Sequence, residues 1–149
     1  MYCDACLEGM GFWYPFITEP MAFYSPVPFG IPSQHIFYYK ALCALSTLFH
    51  GSHLLPARSQ ILIFTNNINT VDIFSTLHAL PTYNSILKLA VDVLLKFDHK
   101  LRVRCVPSNQ NGVANSISCH QFVQALTICP NLHISSFEPP HLLLGEPKK

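Results

Sequence analysis

The order of elements legible in this 149-residue chain predicts an α/β fold, a mixed sheet with helices packed on it. Three observations lead there. The first thirty residues alternate short aromatic-rich runs with turn residues, the pattern of an antiparallel meander. From His35 onward, stretches with helical apolar spacing alternate with short strand-like runs. Half of the residues are apolar and 11% are charged, against roughly 25% charged in an ordinary globular chain. A chain of this length and apolarity fits one domain with a sizeable core.

Met1–Cys6 reads as the first strand, Gly9-Met10-Gly11 as a turn, Phe12–Pro15 as the second strand and Met21–Ser25 as the third. Pro26, Pro28, Gly30 and Pro32 make an irregular connection. From His35 to His50, Tyr38, Leu42, Leu45 and Phe49 fall on one helical face, and Gly51 is the expected stop. Gln60–Phe64 is a continuous apolar run, expected for a strand buried on both faces. Thr70–Leu77 reads as a short helix. Thr82 is placed to cap the next one, whose stripe is Tyr83, Ile86, Leu87, Ala90, Val91 and Leu94. In Leu101–Val106 the apolar Leu101, Val103 and Cys105 alternate with Arg102 and Arg104, a half-exposed strand. A last helix is expected from Gly112 to Leu126. The domain then spans 1–128, and 129–149 reads as a proline-rich C-terminal tail or linker.

Composition excludes several classes. A net charge of +1 rules out a strongly basic nucleic-acid tail, and the apolar excess rules out a disordered chain. No apolar run reaches the ~18 residues of a membrane span; the richest, Ile36 to Phe49, is broken by Lys40. Asp4 and Glu8 stand where a secretory signal would carry basic residues, so an intracellular place, cytoplasmic or nuclear and not secreted, is expected. Free thiols are therefore expected of Cys3, Cys6, Cys43, Cys105, Cys119 and Cys129. Cys3 and Cys6 form a C-x-x-C, but His50, His53, Cys119 and His120 do not complete a zinc pattern with it.

Four words occur in a specific order: YCDACLEGMGFWYP at 2–15, FYYKALCAL at 37–45, IFTNNINTVDIF at 63–74 and VPSNQNGVANSIS at 106–118. Together they resemble the RNase H-like domain of retroelement reverse transcriptase polyproteins, especially those of fungal retrotransposons. The resemblance covers nearly the whole chain. It implies an RNase H-like mixed sheet, three antiparallel strands followed by strands alternating with helices. The family activity it implies is hydrolysis of the RNA strand of RNA–DNA hybrids by two Mg²⁺ ions about 4 Å apart. Such ions need hard oxygen ligands and several carboxylates to offset their mutual repulsion.

The family supplies four acids. The one on the first strand matches Asp4, the only family acid kept. The glutamate of the first long helix corresponds to Lys40, the aspartate after the fourth strand to Asn66, and the one opening the last helix to Asn115. Four carboxylates would carry −4, whereas Asp4 and Lys40 sum to zero beside two neutral amides. One unit-charge pair at ~4 Å is worth about 4 kcal/mol at an effective dielectric near 20. Losing three ligands, one of them to a cation, predicts that no metal is bound and no RNA is cut. An Asp4–Lys40 ion pair is expected in place of the metals.

The other acids offer little. Asp72 lies six residues past Asn66 on a predicted helix, about 600° of rotation away. Asp92 sits on a polar face near Lys88 and Lys96. The segment from Lys88 to Arg104 carries +3 and holds Lys96, Lys100, Arg102 and Arg104, candidate phosphate contacts for an RNA–DNA hybrid or duplex, or an ordinary solvated face. The early aromatics, among them Phe12, Trp13, Tyr14, Phe16, Phe23, Tyr24 and Phe29, could stack on bases but fit core packing better. In relatives the domain sits within a larger polyprotein, and with Met1 so close to Asp4 the first strand reads as short and truncated. Three readings stay open: an inactive RNase H-like domain, a nucleic-acid-binding or protein-interaction module on the same fold, and an active nuclease with a relocated metal site.

Overall fold

The computed structural model describes residues 1–15, 18–28 and 32–140. Phe16, Phe29, Gly30 and the end of the tail from 141 lie outside them. Six strands form one mixed sheet in the order β5-β4-β1-β2-β3-β6. They are β1 (Tyr2–Ala5), β2 (Gly9–Tyr14), β3 (Met21–Pro26), β4 (Gln60–Thr65), β5 (Lys100–Cys105) and β6 (His133–Ser136). The helices are α1 (Ile36–Ser52), α2 (Ile68–Thr76), α3 (Asn84–Phe97), α4 (Gly112–Ser118) and α5 (Phe122–Ile128). β1, β2 and β3 are antiparallel; β4 joins β1, β5 joins β4 and β6 joins β3 in parallel. The expected α/β architecture is present.

Several boundaries differ, each for a physical reason. Gly9-Met10-Gly11 is strand, not turn, because the chain reverses at Cys6–Glu8, where the Cys6 amide donates to Gly9 O at 2.9 Å. Glycine is needed at Gly11 because α4 lies against it: a Cβ there would stand 2.7 Å from both Ile117 Cγ2 and Ser118 N. α1 runs through Gly51 instead of stopping, and the glycine there makes room for Met1, whose Cε would stand 2.6 Å from a Cβ. β4 is not buried on both faces: Ile61, Ile63 and Thr65 are inside, while Gln60 and Leu62 are exposed. On β5 the arginines are outside and Val103 inside as expected, but Cys105 is exposed. Thr82 does not cap α3; it lies in a 3-10 turn, Pro81–Tyr83, and no side chain caps that helix.

The single last helix is instead two. His120 adopts a left-handed φ of 58°, which a helix cannot contain, and the chain turns between α4 and α5. The expected linker from 129 instead carries β6, and Leu132 and Phe137 on either side of it are buried. The described fold therefore extends past residue 128.

α1, α2 and α3 cover one face of the sheet, and α4 with α5 covers β1–β3 on the other. α1 is enclosed nearly all round, from Ala41 through Leu48. Its polar side chains tolerate this by bonding back to its own carbonyls, Ser46 Oγ to Leu42 O at 2.8 Å and Thr47 Oγ1 to Cys43 O at 2.7 Å. Each fully buried leucine here (Leu42, Leu45, Leu48) contributes about 1.5–3 kcal/mol. The early aromatics are mostly core: Phe12 and Tyr14 are fully buried, and Phe12 packs on Phe137 at 4.7 Å between ring centroids.

His50 joins that aromatic cluster, stacked on Phe12 at 5.8 Å and Phe23 at 6.2 Å. Burial lowers its pKa from the ordinary 6.5 and the charge of His53 adds to the lowering, while a hydrogen bond to the Glu138 backbone opposes both. The folded state thus prefers the neutral ring, and the unfolded chain binds the proton more readily. This contribution to stability is complete above pH 6.5 and is lost as pH falls below that value through the folded pKa. Melting temperature should therefore fall between about pH 7 and 5, with a shallower slope in His50→Leu; equal slopes would assign the acid sensitivity elsewhere.

Candidate functional site

Asp4 lies in β1, a central strand, and is only 3% exposed. Its Oδ1 accepts from the Ala5 amide at 2.9 Å and from Lys40 Nζ at 2.6 Å. Lys40 projects from the first turns of α1, and its side chain is 16% exposed. The same ammonium donates to Asn66 Oδ1 at 3.3 Å. Asn66, just beyond β4, returns its Nδ2 to Asp4 Oδ2 at 3.4 Å and to Ser108 Oγ at 3.3 Å. The expected ion pair is therefore present, inside a three-residue hydrogen-bonded ring of Asp4, Lys40 and Asn66, to which Ser108 is attached through Asn66.

Local structure explains the convergence. β1 and β4 are parallel neighbours, so their C-terminal ends reach the same edge of the sheet. Asn67 caps α2 by accepting from Thr70 N at 2.8 Å, which turns the chain sharply and leaves Asn66 at the strand end. Asn111 Nδ2 donates to Cys3 O at 3.0 Å and fastens the start of α4 to β1. Ser108 belongs to the 3-10 turn Ser108–Gln110. Sequence reasoning missed it, although it lies inside the VPSNQNG word.

Asn115 is on α4, half-buried, and its Oδ1 accepts a weak bond from Cys119 Sγ at 3.9 Å. Burial pushes the Cys119 thiol up to about 11, with further raising by Cys6 alongside and by the Asp4 charge, against a lowering by Ser118. Cys6 Sγ donates to Ser118 O at 3.2 Å. The six cysteines are free thiols.

These residues do not fit two Mg²⁺ ions. The ammonium of Lys40 stands between Asp4 Oδ1 and Asn66 Oδ1, where a bridging cation would lie, and so satisfies both oxygens itself. Asp4 is the one carboxylate of the ring, and a dication would have to displace a bound cation to reach it. Asp72 and Asp92 are exposed and contribute nothing to this edge. Among the described residues no three His, Cys, Asp or Glu side chains are grouped to hold a metal ion.

The expected phosphate contacts are divided by the structure. Lys100, Arg102 and Arg104 are exposed on one side of β5. Lys96 belongs to a different element, the last turn of α3, and lies over the Phe97 ring at 5.2 Å. No helix among the described residues is long and apolar enough to cross a membrane.

Comparison with solved structures bears on the fold. No protein-family model matches the sequence, and no curated protein matches it. Among solved structures, RNase H1 from the halophilic archaeon Halobacterium salinarum superposes with a TM-score of 0.58 over 83% of this chain and 96% of that one, at 13% identity. The likeness at that identity is one of fold. The chain has an RNase H-like fold.

Proposed function

We propose that this chain is a retroelement-derived RNase H-like domain, from a reverse transcriptase polyprotein, in which hydrolysis of the RNA strand of RNA–DNA hybrids has been lost. The observation that carries this is the 2.6 Å contact of Lys40 Nζ with Asp4 Oδ1. A lysine where the family places a glutamate turns a metal ligand into a competitor for the remaining one. Two amides, Asn66 and Asn115, replace two further carboxylates. The four words resembling that family supply the origin, and the Halobacterium fold supports the architecture on which they are placed. On this reading no Mg²⁺ is required, and a hybrid or duplex is a ligand bound without being cut. The exposed Lys100, Arg102 and Arg104 offer cations to such a ligand.

A labelled RNA–DNA hybrid incubated with the protein in Mg²⁺ and in Mn²⁺ should remain intact over the time in which an active ribonuclease H digests it fully. Turnover that vanishes in Asp4→Asn would overturn the proposal and return the relocated metal site.

A further inference from the structure

We infer that the open side of β5 and β4 is a binding face for single-stranded nucleic acid. The inference rests on the nucleic-acid ligand of the preceding reading, commits it to a single strand in place of a duplex, and is independent of the loss of cleavage. It rests on a juxtaposition of two side-chain rows. Lys100, Arg102 and Arg104 alternate along β5 and are all exposed, so the three cations share one face. Their spacing along the strand is about 6.6 Å, an interval comparable with that of successive phosphates on an extended strand.

The second row lies beside the first. Arg104 is in register with Phe64, Phe64 with Tyr2, and Tyr2 with Trp13, which places one cation and three rings side by side on four adjacent strands. The rings form a continuous stack, Trp13 to Tyr2 at 5.7 Å and Tyr2 to Phe64 at 4.9 Å, all three half-buried. Helix α4 covers β1–β3 but leaves the β4–β5 part of this face open, where Leu62 is 37% exposed. A shallow groove there is lined by Leu62, Lys100, Arg102 and Arg104.

Charge complementarity selects a polyanion, and the rings select among polyanions. A duplex offers phosphates but hides its base faces, so Phe64 at the end of the stack would add nothing to its binding. Both faces of Tyr2 are taken by Trp13 and Phe64, so a single strand can set phosphates on β5 and a base against the outward side of Phe64, the ring next to Arg104, at once. An acidic peptide would use the cations and leave the rings unmatched.

Fluorescence anisotropy tests this with labelled DNA and RNA single strands of about twelve nucleotides, in EDTA so that no metal-dependent step contributes. Both arms are run, and the tighter one identifies the natural strand. Saturable binding is expected, weakening as salt rises. Arg102→Ala/Arg104→Ala should reduce affinity about tenfold and lower the log–log salt slope by roughly 1.4, two phosphate contacts. Phe64→Leu should reduce it about fivefold or more with the slope unchanged. A cooperative melt at the parent temperature shows that each variant is folded, and the arginine pair, being exposed, does not depend on the core. The inference is overturned by no saturable binding at low salt, by a duplex of equal length binding as tightly, by polyglutamate binding as tightly, or by arginine variants that bind like the parent. None of these results bears on whether a hybrid is cut.

Discussion

Lys40→Ala is expected to destabilise the domain by about 3 kcal/mol, the lower end of the range for stripping one partner from a buried ion pair. The lower end applies because Lys40 is 16% exposed, so water can replace part of what the ammonium supplied, while Asp4 is only 3% exposed. After the substitution Asp4 Oδ1 keeps the Ala5 amide and Oδ2 keeps the longer contact from Asn66 Nδ2, at 2.9 and 3.4 Å. Two neutral donors do not offset a carboxylate held in the sheet. Asn66 Oδ1 also loses its donor at 3.3 Å. The double variant Asp4→Asn/Lys40→Ala should recover most of the loss, because a neutral amide can still accept from Ala5. Equilibrium urea unfolding of parent, single and double variants measures the cycle. A single variant as stable as the parent would mean that the pair is solvated and its closeness energetically idle.

Restoring the three acids should produce the opposite dependence, a domain that requires metal to be stable. Lys40→Glu/Asn66→Asp/Asn115→Asp takes the formal charge of the four positions from zero to −4. Without divalent ions, like charges at one edge of the sheet repel, and the melting temperature should fall below that of the parent. With Mn²⁺ or Mg²⁺ at about a hundred times its dissociation constant, binding to the folded state alone adds about 2.7 kcal/mol. For a chain of this size that corresponds to a rise of roughly 5–10 °C. The parent should show no such rise. A thermal melt at increasing Mn²⁺ reads both, and hybrid cleavage provides a second readout. A variant that is folded yet indifferent to metal would show that residue 115, which faces Cys119 in the parent at 3.9 Å, does not reach the other three.

The fold was largely legible because its signals are local. Phe49 and Leu42 mark a helix by spacing, and Arg102 and Arg104 mark a strand by alternation, whatever the rest of the chain does. What sequence left hidden was set by distant partners. Gly9 and Gly11 look like turn residues until α4 is placed on them. The Tyr38–Phe49 stripe identifies α1 but not its enclosure from Ala41 through Leu48, which depends on α2, α3 and the strands β1, β2 and β4. Nothing in His133–Ser136 proclaims a strand; its hydrogen bonds come from β3, over a hundred residues earlier. For the site, Asp4, Lys40 and Asn66 were legible because each sits in a recognisable word. Ser108 was not, since a serine in a polar turn has many ordinary reasons to be there, and neither was the part of Cys119 beside Asn115.

The pairing of β6 with β3 also orders events in time. Ala22 of β3 is fully buried under α4, α5 and Leu132, and Phe137 closes the aromatic cluster around Phe12. β3 emerges more than a hundred residues before its edge partner, with most of the described elements between them. Until residues 133–137 arrive, one edge of the sheet presents unpaired amides and carbonyls, and the cluster at Phe12 and His50 lacks its cover. Pairings of such sequence separation close slowly, because the entropy of the intervening loop must be overcome first. A nascent chain therefore carries a sticky strand edge from the time β3 is made until residues 133–137 follow.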